Sequence, residues 1–281
     1  RAFAGESVRL PLIPYDPKDP GQLPDPFGDK PLYSITAQNM DKHADLLTVG
    51  QKELFRKYPN YRMDVYQTHR TAKYPKYILE ASIKNATACK ATNGGIKMEG
   101  CYFGGIPFPI PKNGNEAGWN HLVAYNLPAL GGKVQSWVTD ANGKAMLQGL
   151  QNVHWHFAYW DPERTGIASG NTLYWMLRFD TEAPARRAGE KYVILNTLDP
   201  INPGQRAWVY IPGQRRVKLA PDLAYDTPSP TSVGTSTMDE QQVFLGAQDR
   251  YDMKLIGKKE IFLIANSHKV ADYKTCLSEV A

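Results

Sequence analysis

The stretch that decides the fold is residues 134–160, VQSWVTDANGKAMLQGLQNVHWHFAYW. Asn142-Gly143 favours a two-residue turn with positive backbone φ angles, and it separates the strand-like runs Val134–Thr139 and Lys144–Gly149. These two runs therefore predict a β-hairpin. The run Val153–Trp160 follows with many aromatic side chains and predicts a further strand.

The same two-residue period continues through the rest of the chain. Further strands are predicted at Thr172–Asp180, Lys191–Leu198, Ala207–Ile211, Gln214–Leu219, Tyr251–Ile256 and Glu260–Ala265. Residues 221–240 are polar and rich in turn-forming residues, which predicts a long loop. Eight or more short strands joined by hairpins are typical of an antiparallel meander, either a curved sheet or a barrel.

The first part of the chain has a different character. Residues 1–32 form a proline-rich arm, because each proline removes a backbone donor and fixes φ. Helices are predicted over Ala37–Leu47 after a Ser34 cap, around Leu54 after Thr48, over Lys76–Cys89, and from Asn113 with Glu116 completing a capping box. The prediction is one domain of residues 1–281: the arm, a helical and extended cover over 33–131, and a β-meander over 132–281. The fold class is mainly β with α, a curved antiparallel sheet or half-barrel covered by N-terminal helices.

Composition excludes several classes of function. The 281 residues carry 33 Lys+Arg and 28 Asp+Glu, a net charge of +5 that is spread along the chain. Nucleic-acid binders concentrate basic residues on one face, and the only dense basic run is the short stretch from Arg215 to Lys218, so no nucleic-acid partner is predicted. No apolar run approaches the roughly 20 residues that a transmembrane helix needs.

The three cysteines leave two interpretations open. Cys89 and Cys101 are separated by a glycine-containing segment that can bring the thiols together as a disulfide in an oxidising compartment. They can equally be free thiols in a reducing one. Cys276 has no evident partner, and the spacing does not suit zinc.

Motifs for catalysis are weak. His154 and His156 share one face of a predicted strand, but a metal site needs further ligands, so no metal or cofactor is predicted. The sequence contains no GxSxG elbow, P-loop or HExxH motif. A hydrolase stays possible as an alternative, since carboxylate pairs occur in turns, but no catalytic residue is predicted.

Several strands are apolar or aromatic on both sides, so both faces of the sheet need cover. Residues 153–160 and 172–180 show this pattern most clearly. One face can be covered by the helices, while the other must either pack into a filled core or surround an apolar ligand. The strand pattern alone leaves both interpretations open.

Long stretches of the chain resemble a known family. The stretches are Pro24–Phe27, Gly105–Gly114 with Glu116 and Trp119–Leu122, Trp208–Val217, Ala224–Pro228, Asp249–Asp252 and Lys254–Glu260. They resemble a Gram-negative family of exported proteins with a domain of unknown function, described as similar to the outer-membrane lipoprotein-sorting factors (LolA/LolB-like). The resemblance implies a signal-cleaved periplasmic protein with a half-barrel, an apolar cavity, and an association with an RND-type exporter and an outer-membrane partner.

The function predicted from the sequence is a periplasmic, non-enzymatic carrier for a hydrophobic or lipid-like ligand. The candidate ligand-binding residues are large and apolar: Trp137, Trp155, Phe157, Tyr174, Met176, Trp208 and Tyr210, with Phe108 and Ile110 of the segment 104–111. That segment is predicted to act as a lid, a docking surface or a strap over a sheet edge. The alternatives are a periplasmic hydrolase of lipids or glycans and a ligand-free envelope scaffold.

Overall fold

The computed structural model describes residues 28–69, 74–221, 223–229, 232 and 234–264. The described residues 28–69 and 257–264 belong to one compact unit, and those between 74 and 256 belong to another. Most of the proline-rich arm, the stretch Pro24–Phe27 and Cys276 lie outside the described residues. The expectation of a single domain stays a prediction.

Within its described residues, the smaller unit combines one α-helix with a two-stranded antiparallel sheet. Its elements are β1 (Tyr33–Ile35), α1 (Val49–Lys57) and β2 (Met63–Val65). The predicted helix after Thr48 is confirmed, since the Thr48 hydroxyl accepts from the Gln51 backbone N–H at 3.2 Å and the Gln51 side chain accepts from the Thr48 N–H at 2.8 Å. The buried core consists of Ile35, Leu47 and Phe55.

The predicted helix over Ala37–Leu47 is wrong. This segment holds only a short 3₁₀ turn, Met40–His43, and the residues before it form β1. The reason is the side chain of Asn39, which accepts from the Thr36 backbone N–H at 2.7 Å and donates to the Ser34 carbonyl at 3.0 Å. These bonds occupy backbone groups that a helix would need.

The larger unit contains a six-stranded antiparallel sheet, two helices and two small two-stranded sheets. In chain order its elements are α2 (Lys76–Ala88), β3 (Lys90–Thr92), β4 (Lys97–Glu99), β5 (Cys101–Tyr102), α3 (Gly114–Leu122), β6 (Ala129–Thr139), β7 (Ala145–His156), β8 (Ile167–Ala168), β9 (Leu173–Ala183), β10 (Lys191–Thr197), β11 (Arg206–Ile211) and β12 (Arg216–Leu219). The large sheet has the order β12-β11-β10-β9-β7-β6, and β3 pairs with β4 and β5 with β8.

The hairpin predicted at Asn142-Gly143 joins β6 and β7. Gly143 has a φ of +80°, and the Asp140 carboxylate accepts from the backbone N–H groups of Asn142 and Lys144 at 2.9 Å each. The prediction of two strands at Lys144–Gly149 and Val153–Trp160 is wrong, because a single strand, β7, runs from Ala145 to His156. An extra residue in β7 opposite Ser136 and Trp137 forms a bulge, which lets one long strand continue.

The strands predicted at Tyr251–Ile256 and Glu260–Ala265 are also wrong for the residues that the structure describes, 251–264, which contain no strand. Their polar groups bond to other segments instead of to each other. The Tyr251 hydroxyl donates to the Asp239 carboxylate at 3.2 Å, and the Phe262 backbone N–H donates to the Leu46 carbonyl at 3.0 Å.

The helices α2 and α3 pack into the same core as the large sheet, through residues such as Ile78, Trp119 and Leu122. The Asn113 side chain caps α3 by accepting from the Glu116 N–H at 2.9 Å. The Glu116 carboxylate accepts from the Lys112 N–H at 2.6 Å, one residue earlier than in the predicted capping box.

Of the described residues, 30% are in strands and 21% in helices, so the prediction of a mainly β fold with helices and an antiparallel sheet is confirmed, and the sheet does not close into a barrel. Its half-barrel curvature stays a prediction. Within the described residues, the helices are too short or too polar to cross a bilayer.

Candidate functional site

The six-stranded sheet has two faces with different surroundings, because side chains alternate between the faces and residues paired in register share a face. The face that we call the covered face carries the row Trp155, Leu177, Ile194 and Ala207. The opposite face, which we call the open face, carries the row His154, Arg178, Val193 and Trp208.

A cavity of about 190 Å³ lies against the covered face. Its apolar and aromatic lining consists of Val134, Val153, Trp155, Leu177, Phe179, Tyr192, Ile194, Leu223 and Met238. Its polar lining consists of Ser136, Gln151, Ser229 and Gln241. None of these described lining residues carries a charge. An apolar protein cavity of about 150 Å³ accepts benzene, so this one has room for an aromatic ring or a short aliphatic group.

Polarity changes along the strands of the covered face. The row that contains Trp155 is apolar, and the next row pairs Val153 with Phe179, whose ring stacks on Tyr192 at 4.5 Å between centroids. One step further along β7, Gln151 pairs with Thr181. Beyond them Ser136 faces Gly149. The cavity therefore has an apolar end and a polar end.

Gln151, which lines the polar end, and Thr181, its neighbour across the strands, carry polar groups without partners in the part of the chain that the structure describes. Gln151 and Thr181 are each 3% exposed. Among the described residues, neither the Gln151 side-chain nitrogen nor the Thr181 hydroxyl has a hydrogen-bond partner. A buried polar group that is left unpaired costs about 1–3 kcal/mol, so these two groups do not act as fold-stabilising contacts.

The cavity is closed on its far side by residues of the loop predicted at 221–240. Leu223 and Met238 reach the cavity, and Met238 belongs to the hydrophobic core of the larger unit. The loop is held by its own backbone, since the Met238 N–H donates to the Thr227 carbonyl at 2.9 Å and the Asp239 N–H to the Tyr225 carbonyl at 3.0 Å. It is thus a cover for the sheet rather than a solvated loop.

The rim of the cavity includes one titratable side chain, Tyr192. Burial raises its pKa above the usual range for tyrosine, so the hydroxyl is protonated at neutral pH. The hydroxyl donates to the Glu190 carboxylate at 3.3 Å. The lining thereby stays uncharged at neutral pH.

The open face carries charged groups around a wide hollow of about 610 Å³. Arg178 donates to Asp180 at 2.8 Å and holds the pKa of that carboxyl below its usual range. His154 and His156 also line this hollow, and His156 lies 3.7 Å from Asp161. No three possible metal ligands come together among the described residues.

The structure places the predicted ligand-binding residues in three environments. Trp155 lines the cavity. Phe157, Tyr174 and Phe108 are buried in the adjoining core, where the Phe157 ring lies 5.5 Å from that of Trp155. The open face carries Trp137, Met176, Trp208 and Tyr210. The nine residues therefore do not surround one cavity, and their contact with a ligand stays a prediction.

The segment 104–111 is fastened to α3. The Asn120 side chain accepts from the Phe108 backbone N–H at 3.0 Å and donates to the Phe108 carbonyl at 2.7 Å. Ile110 is 83% exposed. The earlier part of the segment is also fastened, since the Ile106 backbone N–H donates to the Ser82 hydroxyl at 2.8 Å and the Tyr159 hydroxyl donates to the Gly105 carbonyl at 2.8 Å. The roles of lid, docking surface and strap stay predictions.

Sequence reasoning missed the polar end of the cavity and its cover. Gln151, Thr181 and Met238 were not singled out. The strand register carries the signal for the first two, because it places a glutamine and a threonine on a face that is otherwise apolar. Nothing in the sequence of the loop indicates that Met238 points inward.

A disulfide joins Cys89, at the end of α2, to Cys101 of β5, the pair considered from the sequence. Cys101 is fully buried in the core. The bond ties α2 to the small sheet, and neither cysteine lines the cavity.

The fold and the cavity together define the class: a mainly β protein with an open antiparallel sheet. A small uncharged cavity lies between one face of this sheet and the loop that contains Met238. The family model "Protein of unknown function (DUF1329)" matches residues 34–281, and the chain belongs to that family. It is 39% identical over 269 residues to the uncharacterized protein PA3922 of Pseudomonas aeruginosa, a match that covers 92% of this chain and 57% of the relative. The chain thus spans little more than half of that relative's length. No solved structure matches the chain.

Proposed function

We propose that the protein binds a hydrophobic ligand in the cavity of the covered face. The observation that carries the proposal is an uncharged, mainly apolar cavity of about 190 Å³ between the sheet and the loop that contains Met238. Transfer of apolar surface from water into such a site contributes about 25 cal/mol per Å². No catalytic arrangement is needed for this function.

The wider role that we propose is that of a periplasmic carrier for a lipid-like molecule. The resemblance to LolA/LolB-like sorting factors supports this role, including a half-barrel form of the sheet, export with removal of a signal peptide, and cooperation with an RND-type exporter and an outer-membrane protein. The disulfide between Cys89 and Cys101 supports an oxidising compartment.

Cavity binding is tested with toluene, a small apolar probe that matches the cavity volume. Isothermal titration calorimetry is performed on the wild type and on two variants with one added aromatic ring each. Val153→Phe fills the cavity, because Val153 is one of its lining residues. Val193→Phe is the control, because it places the same ring on the open face of the sheet.

We expect toluene to bind the wild type and Val193→Phe equally, and Val153→Phe at least tenfold more weakly. Circular dichroism checks that both variants are folded. The proposal is overturned if toluene does not bind the wild type, or if the two folded variants bind it equally.

The carrier role is tested separately by fractionation of cells that produce the protein with its native leader. We expect osmotic shock to release the protein. We also expect Cys89 and Cys101 to react with a thiol-alkylating reagent only after reduction of the disulfide. Retention in the cytoplasm with both thiols alkylated would contradict periplasmic export without affecting the binding result.

A further inference from the structure

The polar end of the cavity is lined by a hydrogen-bond donor, the Gln151 amide, that no described residue satisfies. The unpaired Thr181 hydroxyl lies beside it on the covered face, since the two residues are paired across β7 and β9, and both side chains are almost fully buried. Four other buried side-chain atoms of this unit also lack partners among the described residues, those of Gln148, Trp175, Asn196 and Gln248, but none of these residues lines the cavity. The Gln151 amide is therefore the unpaired donor that a ligand in the cavity can satisfy.

The same end of the cavity provides nothing that neutralises a charge. The described lining contains no Lys, Arg, His, Asp or Glu side chain. A buried carboxylate, phosphate or ammonium group without a partner is strongly unfavourable. A neutral acceptor such as a carbonyl oxygen has no such penalty and satisfies the donor.

The apolar end fixes the orientation. Two rows of apolar side chains, containing Val153 and Trp155, separate the unpaired donor from the far end of the covered face. A ligand with a carbonyl at one end and a short hydrocarbon group at the other fits this gradient in one direction only.

We infer that the ligand is an uncharged acyl ester or amide, with its carbonyl oxygen at Gln151 and its hydrocarbon part directed toward Trp155. The inference rests on the proposed function and specifies the chemistry of the same site. It distinguishes an esterified acyl group from a free fatty acid, which has the same hydrocarbon chain and carries a charge at neutral pH.

The test compares three probes by isothermal titration calorimetry at neutral pH: methyl hexanoate, sodium hexanoate and toluene. The ester has the carbonyl without the charge, hexanoate has the charge, and toluene has neither. We expect the ester to bind roughly a hundredfold more tightly than hexanoate, because an unpaired charge is costly to bury.

The variant Gln151→Leu removes the donor that lines the cavity with little change in volume. It is expected to lower the affinity for the ester about tenfold relative to the affinity for toluene, the effect of one lost hydrogen bond. Thr197→Val, whose hydroxyl already donates to the Asp199 carbonyl at 2.7 Å, is the control and leaves both probes unaffected.

The experiment distinguishes failure of the proposed function from failure of this inference. If toluene does not bind the wild type, the proposed function itself fails. If toluene binds but hexanoate binds as well as the ester, or Gln151→Leu retains the full affinity for the ester, the cavity is apolar without being selective and this inference is overturned. The melting temperature of each variant verifies that a loss of ester binding is not a loss of fold.

Discussion

Two buried polar regions of the larger unit differ in whether their hydrogen-bonding groups have partners. In the packed region, Asn85 is 1% exposed, and its side chain accepts from the Tyr102 N–H at 2.6 Å and donates to the Tyr102 and Ile106 carbonyls at 3.2 and 3.3 Å. Tyr159 donates to the Gly105 carbonyl at 2.8 Å. Gln151, which lines the cavity, and its strand neighbour Thr181 are each 3% exposed, and among the described residues the Gln151 side-chain nitrogen and the Thr181 hydroxyl lack partners.

The difference distinguishes polar groups that stabilise the fold through hydrogen bonds from polar groups that make no such bonds within it. Asn85 replaces missing backbone bonds of the irregular segment 102–106, so its removal takes away the partners of two backbone groups at once. Gln151 supports no neighbouring backbone, so its removal unpairs nothing. The comparison therefore predicts that one amide stabilises the protein and the other does not.

The largest effect is expected for Asn85→Leu, which removes the partner of the Tyr102 N–H and of the Ile106 carbonyl, while the Tyr102 carbonyl keeps its bond from the Tyr159 hydroxyl at 3.1 Å. We expect the free energy of unfolding to fall by about 3 kcal/mol or more. The matched variant Gln151→Leu also exchanges a buried amide for leucine, and its free energy of unfolding is expected to stay unchanged or to rise by about 1 kcal/mol. Urea titration followed by circular dichroism measures both.

Equal losses of stability in the two leucine variants would remove the distinction between the regions. A large loss for Gln151→Leu alone would show that its amide has a structural partner. Since the two substitutions have the same chemistry, the hydrophobicity of leucine itself cannot account for a difference in sign.

Removal of the disulfide is the next largest effect. Cys89 and Cys101 are 12 residues apart, and closure of a loop of this length stabilises a protein by about 3 kcal/mol. We expect the double variant Cys89→Ala, Cys101→Ala to lose about that much, as measured by thermal unfolding. The bond lies in the packed region, so toluene binding at a temperature where the variant is folded is expected to stay unchanged. A parallel loss of binding would mean that the two regions are coupled.

Much of the architecture follows from local sequence signals. The Asn142-Gly143 turn, the Thr48 cap and the strand runs that became β9, β10 and β11 act through backbone preferences of neighbouring residues, which a sequence displays directly. The errors occur where a side chain bonds outside its own pattern. Asn39 redirects a segment with helical periodicity, and the bulge in β7 merges two predicted strands into one.

The candidate site was less predictable than the fold, for a physical reason. Apolar residues on both sides of a strand indicate that both faces need cover, but not which face retains a cavity. That choice depends on the loop that contains Met238, which is polar in composition and packs onto one face only. Trp155 was identified from its strand pattern, whereas Trp208 and Tyr210, with the same pattern, lie on the open face.

The smallest expected effect is that of two threonine substitutions. It tests the comparison most directly, because both sites carry the same residue type. Thr197 and Thr181 are both buried in the large sheet, but only the Thr197 hydroxyl has a partner, the Asp199 carbonyl at 2.7 Å. We expect Thr197→Val to lower the free energy of unfolding by about 1 kcal/mol, the value of one hydrogen bond, and Thr181→Val to leave it unchanged or raise it slightly. Urea unfolding resolves this difference when both variants are measured in parallel. If Thr181→Val lost as much stability as Thr197→Val, the Thr181 hydroxyl would contribute to the fold, and the contrast with the packed region would rest on Gln151 alone.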